Sequence, residues 1–285
     1  MLLFGAGRSA VAAGADIIAS GLGYTEGTIF VGETLYFVDY SNSDVLRLNG
    51  GKVEQVWHQD GCGANGLVQL GRALLVACYN NNTVVKISLD GQTLQTITAD
   101  DAGKPFDRPN DLALDAKGGV YFTGSGEPSN LGRVYYLTPG GQVKDVADNI
   151  QNANGLVVSP NGKTLYVAES YTDSLLTYSI AADGGLGDRR LFLKLGDILG
   201  NRRSTPDGVR LDKHGRLFIG LYNGGGFAVI TLDGKLVTTV DLPGPHHANL
   251  AISPDGRFVY GTIAYDEPDG SYRGALYRTP NPVSE

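Results

Sequence analysis

The stretch NGLVVSPNGKTLYVAES, residues 154–170, decides the fold. It opens on an amide and a glycine, Asn154-Gly155, and runs into a short apolar strand, Leu156-Val157-Val158. Ser159-Pro160-Asn161-Gly162 then marks a tight turn, because Asn and Gly tolerate the positive φ angles that hairpins require. A second β-rich run follows, Thr164-Leu165-Tyr166-Val167-Ala168. The phrase is anchor, strand, turn, strand.

Working outward, the phrase returns five times. It reads Glu26-Gly27 before TIFV, Asn65-Gly66 before LVQL, Asn110-Asp111 before LALD, Asp207-Gly208 before VRLD, and Asn249 before LAIS. Anchors at 26, 65, 110, 154, 207 and 249 are spaced by 39, 45, 44, 53 and 42 residues. A period in the forties, built from short strands, is the signature of a β-propeller. Five repeats carry four β-rich runs each, mostly alternating with period two. The sixth has three: LAIS, RFVYGTIA and GALYRTP. Residues 15–20 (ADIIAS) precede the first anchor without a repeat of their own, so they are expected to supply the missing outer strand. That closure removes two exposed sheet edges. The expectation is therefore an all-β, six-bladed propeller of four-stranded antiparallel blades, one domain over residues 1–285, its last blade closed by the N-terminal strand. The longest interval predicts a loop over one face at residues 196–205. No amphipathic helices separate the strands, which excludes a TIM barrel, and an immunoglobulin-like sandwich would not repeat six times.

Composition agrees. The chain has 285 residues, 42% of them hydrophobic, only 19% charged, with 41 glycines for many tight turns. Its formal net charge of −7 argues against nucleic acid or an anionic membrane as partner. No apolar run is long enough to span a bilayer. The N-terminal MLLFGAGRSAVAAGA lacks a basic region ahead of its apolar stretch and makes a poor signal peptide, so a cytoplasmic location is expected. No obligate protein partner is evident. Cys62 and Cys78 offer one possible pair and no CxxC motif, and they read as two small buried hydrophobes rather than a disulfide. Trp57 reads as blade packing, and His58 and His214 as solvent-facing. Neither a GxSxG nucleophile elbow nor a phosphate loop ending in GK[ST] is present.

The innermost strand of each blade lines the central channel of a propeller, so the anchors should converge at one mouth. The convergent set is Glu26, Asn65, Asn110, Asn154, Asp207 and Asn249, all oxygen donors. Two carboxylates and several amide carbonyls are what a hard divalent cation takes. Nothing at these positions offers the thiolate or imidazole that selects zinc. The competing reading is that Asn-Gly and Asp-Gly merely punctuate the blades as turns. Glu26 is a poor turn former and weighs against it.

Glu26-Gly27, Arg108-Pro109-Asn110-Asp111, Asn154-Gly155-Leu156 with its LYVAES run, and Pro206-Asp207-Gly208 together resemble the regucalcin-like (senescence marker protein)/gluconolactonase family of six-bladed propellers. The resemblance spans residues 25–262. It implies that Glu26, Asn154 and Asp207 bind one divalent cation, with Asn110 as a fourth or substrate-facing ligand. Calcium is the expected ion, with zinc, manganese, magnesium or iron(II) as alternatives. It further implies Asp207 as general base, Arg108 on substrate oxygens and Glu127 facing substrate. Asn65 and Asn249 are left as blade grammar. The chain departs from the family at Pro245-His246-His247-Ala248-Asn249, where many relatives carry an aromatic-Gly-Gly segment. There the alternatives are two surface histidines, or one of them, with His247 preferred, touching substrate or passing a proton.

A cation on such oxygens suits hydrolysis of a small lactone, sugar-derived or similar, by activated water. The implied rivals are a phosphotriesterase resembling diisopropyl fluorophosphatase and a non-catalytic calcium-binding propeller, since fold alone does not fix substrate.

Overall fold

Each anchor begins the strand nearest the axis, and each repeat folds outward from it as one blade. The computed structural model describes residues 9–11, 14–200 and 204–284. Blade 1 runs from axis to rim as Thr25–Val31, Thr34–Asp39, Asp44–Asn49 and Lys52–His58. Blades 2 to 5 repeat that order, with inner strands Ala64–Leu70, Pro109–Leu114, Ala153–Val158 and Pro206–Leu211. Blade 6 comprises Leu250–Ile252, Phe258–Asp266 and Tyr272–Pro280, and Asp16–Leu22 completes it from the N-terminal side. Asp16 pairs with Arg278 and Leu22 with Gly274, antiparallel, so the expected closure is present. The sequence reading did not foresee Ser9–Val11, which pairs in parallel with the outer strand of blade 5, Leu236–Asp241.

The anchors are not turns. In five blades the pairing of first and second strands slips at the anchor: between Glu26 and Ile29, Ala64 and Leu67, Pro109 and Leu112, Ala153 and Leu156, and Pro206 and Val209. A bulge of this kind bends the strand and re-aims a side chain, here toward the axis. The glycine after the anchor has its own reason. A Cβ on Gly155 would stand 2.2 Å from the Asp207 carbonyl oxygen, and one on Gly66 2.3 Å from that of Asn110. In four blades this glycine lets the inner strand lie against the start of the next blade's inner strand.

Six apolar clusters fill the wedges between neighbouring blades. Phe106 and Phe122 from blade 3 meet Leu75 and Val84 of blade 2, and Leu35 and Phe37 of blade 1 meet Leu276 of blade 6. Phe37, Phe106 and Phe122 are fully buried, each contributing about 1.5–3 kcal/mol of transfer free energy. Trp57 packs as expected, with its indole N–H donating to Thr93 Oγ1 at 2.9 Å. His58 and His214 are exposed.

One expectation needs revision. Cys62 and Cys78 are bonded, with Cα atoms 4.6 Å apart. Cys78 ends the second strand of blade 2 opposite Ala64, and Cys62 lies two residues before Ala64, so one hairpin brings the thiols together. Disulfides persist mainly in oxidising surroundings, which weighs against the cytoplasmic expectation. Of the predicted loop at residues 196–205, residues 201–203 lie outside the described residues. Its start is part of a helical turn, Leu195–Ile198, whose Leu195 is buried between blades 4 and 5. No helix among the described residues is long and apolar enough to cross a membrane.

Candidate functional site

The starts of the inner strands meet at one mouth, around a cavity of about 220 Å³. Glu26, Asn65, Asn110, Asn154 and Asp207 all line it, so five of the six anchors converge. Asn249 does not reach the cavity. Its Oδ1 accepts hydrogen bonds from Thr28 Oγ1 at 3.2 Å, the Leu250 N–H at 2.9 Å and Arg210 Nη2 at 2.9 Å.

The two anchor carboxyls are electrostatically unusual. Burial lifts Glu26 from an ordinary 4.5 to about 7; the Gly27 N–H, donating to Oε2 at 3.0 Å, pulls it back, and the Asp111 charge adds to the rise. Asp207 is also raised, by burial first and then by the charges of Glu26 and Asp111, with the Asn154 amide and Arg210 acting the other way. Two carboxyls in a dry mouth favour a shared positive charge.

Asn154 supplies the sharper observation. Its Oδ1 is buried and accepts no hydrogen bond. An orphaned buried acceptor costs about 1–3 kcal/mol, and the mouth holds this one beside two carboxyls and the Asn110 amide. Oxygens of this number and kind match what a hard divalent cation takes. Among the described residues no three His, Cys, Asp or Glu side chains form a metal cage. The donor set at the mouth is instead half carboxylate and half amide.

A second cavity, of about 190 Å³, opens on the opposite face between blades 5 and 6. Its carboxylates are already engaged: Asp212 pairs with Arg216 at 2.6 Å and Asp255 with Arg257 at 2.6 Å. It presents no comparable set of uncommitted oxygens.

The other expected residues fall elsewhere. Arg108 and Glu127 are not among the residues lining the cavity; each lies two residues from one that is, Asn110 and Ser125, and they pair with each other at 3.0 Å, both partly exposed. Arg108 Nη1 also donates to the Gly126 carbonyl at 3.1 Å. His247 is not brought to the mouth. It is 1% exposed and packs edge-on against Tyr277, and burial depresses its pKa to about 4. The chain passes directly from this buried residue to Ala248 and Asn249, which leaves its ring inside blade 6. His246 is the partner nearer the mouth. Its ring stacks on Tyr222 at 4.2 Å, and Nε2 meets Asp266 Oδ2 at 2.8 Å. Neither histidine is the free surface group that one sequence reading allowed.

A family model described as the SMP-30/Gluconolactonase/LRE-like region matches residues 24–253. The chain belongs to this family. Regucalcin of Xenopus laevis is 30% identical over 267 residues, 86% of this chain and 86% of its own length. A gluconolactonase of Zymomonas mobilis is 24% identical over 221 residues, 72% of this chain and 62% of its own. Among solved structures, a Xanthomonas campestris gluconolactonase superposes with a TM-score of 0.78 at 24% identity, over 94% of this chain and 89% of that one. A calcium-binding regucalcin from Agrobacterium tumefaciens gives 0.77 at 18% identity, over 95% and 97%. At these identities the structures speak for the fold.

On this SMP-30/gluconolactonase-type propeller, the mouth has two features beyond its anchor motifs. One is aromatic: Tyr24, Tyr40, Tyr79, Tyr222 and Tyr272 line the cavity, from blades 5, 6, 1 and 2. They brace one another edge to face, Tyr24 with Tyr272 at 4.8 Å and Tyr40 with Tyr79 at 6.0 Å. Blades 3 and 4 supply the polar half, Asn110, Ser125, Asn152 and Asn154. The signal was present in Asp39-Tyr40, Cys78-Tyr79 and Leu221-Tyr222, a tyrosine after the second strand of three blades. The other is the buried pair Asp111–Arg210, at 2.8 Å.

Proposed function

We propose that the mouth hydrolyses a small lactone, with Glu26, Asn110, Asn154 and Asp207 holding one divalent cation, calcium foremost. The observation that carries this reading is the unpartnered, buried Asn154 Oδ1 beside two carboxyls of raised pKa. Family membership supports it, since named relatives include gluconolactonases and a calcium-binding regucalcin. A divalent cation seated on these oxygens would polarise the ester carbonyl and make nearby water more acidic.

The chain's own groups do the rest. Asp207 takes a proton from the water as its oxygen bonds to the carbonyl carbon. The ring C–O bond then breaks, and the same proton passes to the departing ring oxygen, giving a hydroxy acid. Asn110 and Asn154 orient the oxygens around the carbonyl, and the tyrosine half packs against the ring and excludes water from that side. Arg108 and Glu127, at the rim, meet substituents that protrude from the cavity.

A pH-indicator screen of sugar-type and simple lactones, with a phosphotriester in the same panel, tests the proposal. Chelator should abolish lactone turnover, and calcium, magnesium, manganese, zinc or iron(II) added singly should identify the ion that restores it. Glu26→Gln and Asp207→Ala should each lower kcat/KM by at least about 10²-fold. Full activity in either variant, or turnover of the phosphotriester alone, would overturn it. Calcium binding without any turnover would instead favour a non-catalytic propeller.

A further inference from the structure

Aligning the six inner strands on their anchors exposes two exceptions. The residue after the anchor is glycine in four blades and the apolar Leu250 in blade 6, but in blade 3 it is the charged Asp111. The third residue after the anchor is apolar in five blades, as Ile29, Val68, Ala113, Val157 and Ile252, but in blade 5 it is Arg210. The two exceptions meet across the axis. Arg210 Nη1 donates to Asp111 Oδ2 at 2.8 Å, and the Asp111 side chain is 2% exposed. Arg210 Nη2 donates to Asn249 Oδ1 at 2.9 Å. Below the guanidinium the channel is aliphatic, lined by Ile29, Leu67, Leu112, Leu156 and Val209.

The consequence falls on Asn249. With Arg210, Thr28 and the Leu250 N–H all donating to its Oδ1, that atom must be the carbonyl oxygen, because an arginine cannot accept. The amide N–H groups are thereby left to face Glu26, with whose carboxyl the Asn249 side chain is in hydrogen-bonding contact. Asp111, Arg210, Asn249 and Glu26 thus form one chain of contacts through blades 3, 5, 6 and 1.

We propose that Arg210 is a positioning residue that fixes the Glu26 carboxylate through Asn249 and is itself held by Asp111. The proposal rests on the reading that Glu26 ligates a cation. Groups that orient ligands in this way typically change metal affinity about 10–100-fold when removed. The fork geometry matters, since one guanidinium spans Asp111 and Asn249 together, whereas a lysine ammonium is a point charge on a flexible stem.

Calorimetric titration of the chelator-stripped protein with calcium and manganese gives the test, with melting temperature in chelator as a control for folding. Arg210→Met should weaken binding about 10–100-fold, and Arg210→Lys should recover only part of the loss. Asn249→Ala, which leaves the Asp111–Arg210 pair in place, should weaken binding comparably. Arg210→Met in the Asn249→Ala background should add little. If Arg210 acted only as a repelling positive charge, Arg210→Met would bind the cation more tightly, and that result overturns the proposal. So does unchanged affinity in Asn249→Ala. Glu26→Gln separates the two levels. If it leaves affinity unchanged, the cation site itself is misplaced; if it abolishes binding while Arg210→Met and Asn249→Ala do not, the site stands and the positioning role falls.

Discussion

Glu26, Asn110, Asn154 and Asp207 were legible in the bare sequence because each opens a repeat, and opening a repeat fixes where a side chain goes in a propeller. Arg210 and Asp111 were not, because their meaning lies in breaking a pattern: each is ordinary alone and informative only beside the five residues in the equivalent place. His247 misled for the opposite reason. Its neighbours suggested the mouth, but burial against Tyr277 decides its place. Two predictions belong at this scale. Asn154→Leu removes an acceptor that has no partner together with one amide hydrogen bond to Asp207, so stability in chelator should fall by only ~1 kcal/mol, while calorimetry shows calcium affinity falling at least ~10-fold. A structural strut would show the reverse. The second concerns pH. Glu26 titrates near 7 when folded against an ordinary 4.5. The metal-free fold therefore keeps its full contribution below about 4.5 and loses it as pH rises through about 7, by up to ~3 kcal/mol. Thermal unfolding in chelator should show that decline, calcium should offset it, and Glu26→Gln should remove the share of Glu26 while leaving that of Asp207.

At the scale of elements, strand count and spacing were readable, but the nature of the anchor was not. Asn-Gly and Asp-Gly look like turn punctuation on paper, and only pairing reveals bulges inside strands. The glycine's purpose is equally invisible in one dimension, since the atom it makes room for belongs to the next blade, distant in sequence: Asp207 for Gly155, Asn110 for Gly66. Gly155→Ala tests this account. Its Cβ would lie 2.2 Å from the Asp207 carbonyl oxygen, so blades 4 and 5 must part at the mouth. Overpacking of this kind costs roughly 1–3 kcal/mol. Chemical denaturation should show that loss, and calcium binding should weaken with it because Asn154 and Asp207 move apart. The Cys62–Cys78 pairing was missed on similar grounds, because the hairpin between the two thiols is what brings them within reach.

For the whole molecule, counting strands was enough to foresee that the N-terminal segment completes the sixth blade. The short parallel strand Ser9–Val11 left no such trace, since an added edge strand owes nothing to the repeat. Closure has a measurable signature. Ile18, Ala19 and Leu22 pack against the cluster of Leu35, Phe37 and Leu276. Removing residues 1–22 takes away roughly 3 kcal/mol of apolar burial, at ~1 kcal/mol per half-buried side chain, and bares the Tyr272–Pro280 edge. That variant should melt lower and self-associate on size-exclusion chromatography, whereas removal of residues 1–14 keeps Asp16–Leu22 in the sixth blade and should lower the melting temperature less.

The bulge at the anchor separates two tasks that most strands combine. Backbone slippage and a close glycine secure the blade to its neighbour, and the side chains of the five anchors at the mouth, unlike that of Asn249, take little part in that joint. Glutamate, asparagine and aspartate already share the same slot around the ring, the clearest sign that the scaffold is indifferent to which of them it carries. The mouth is thus a socket of five replaceable pins, and a lineage can rewire its chemistry one pin at a time without first having to solve folding again.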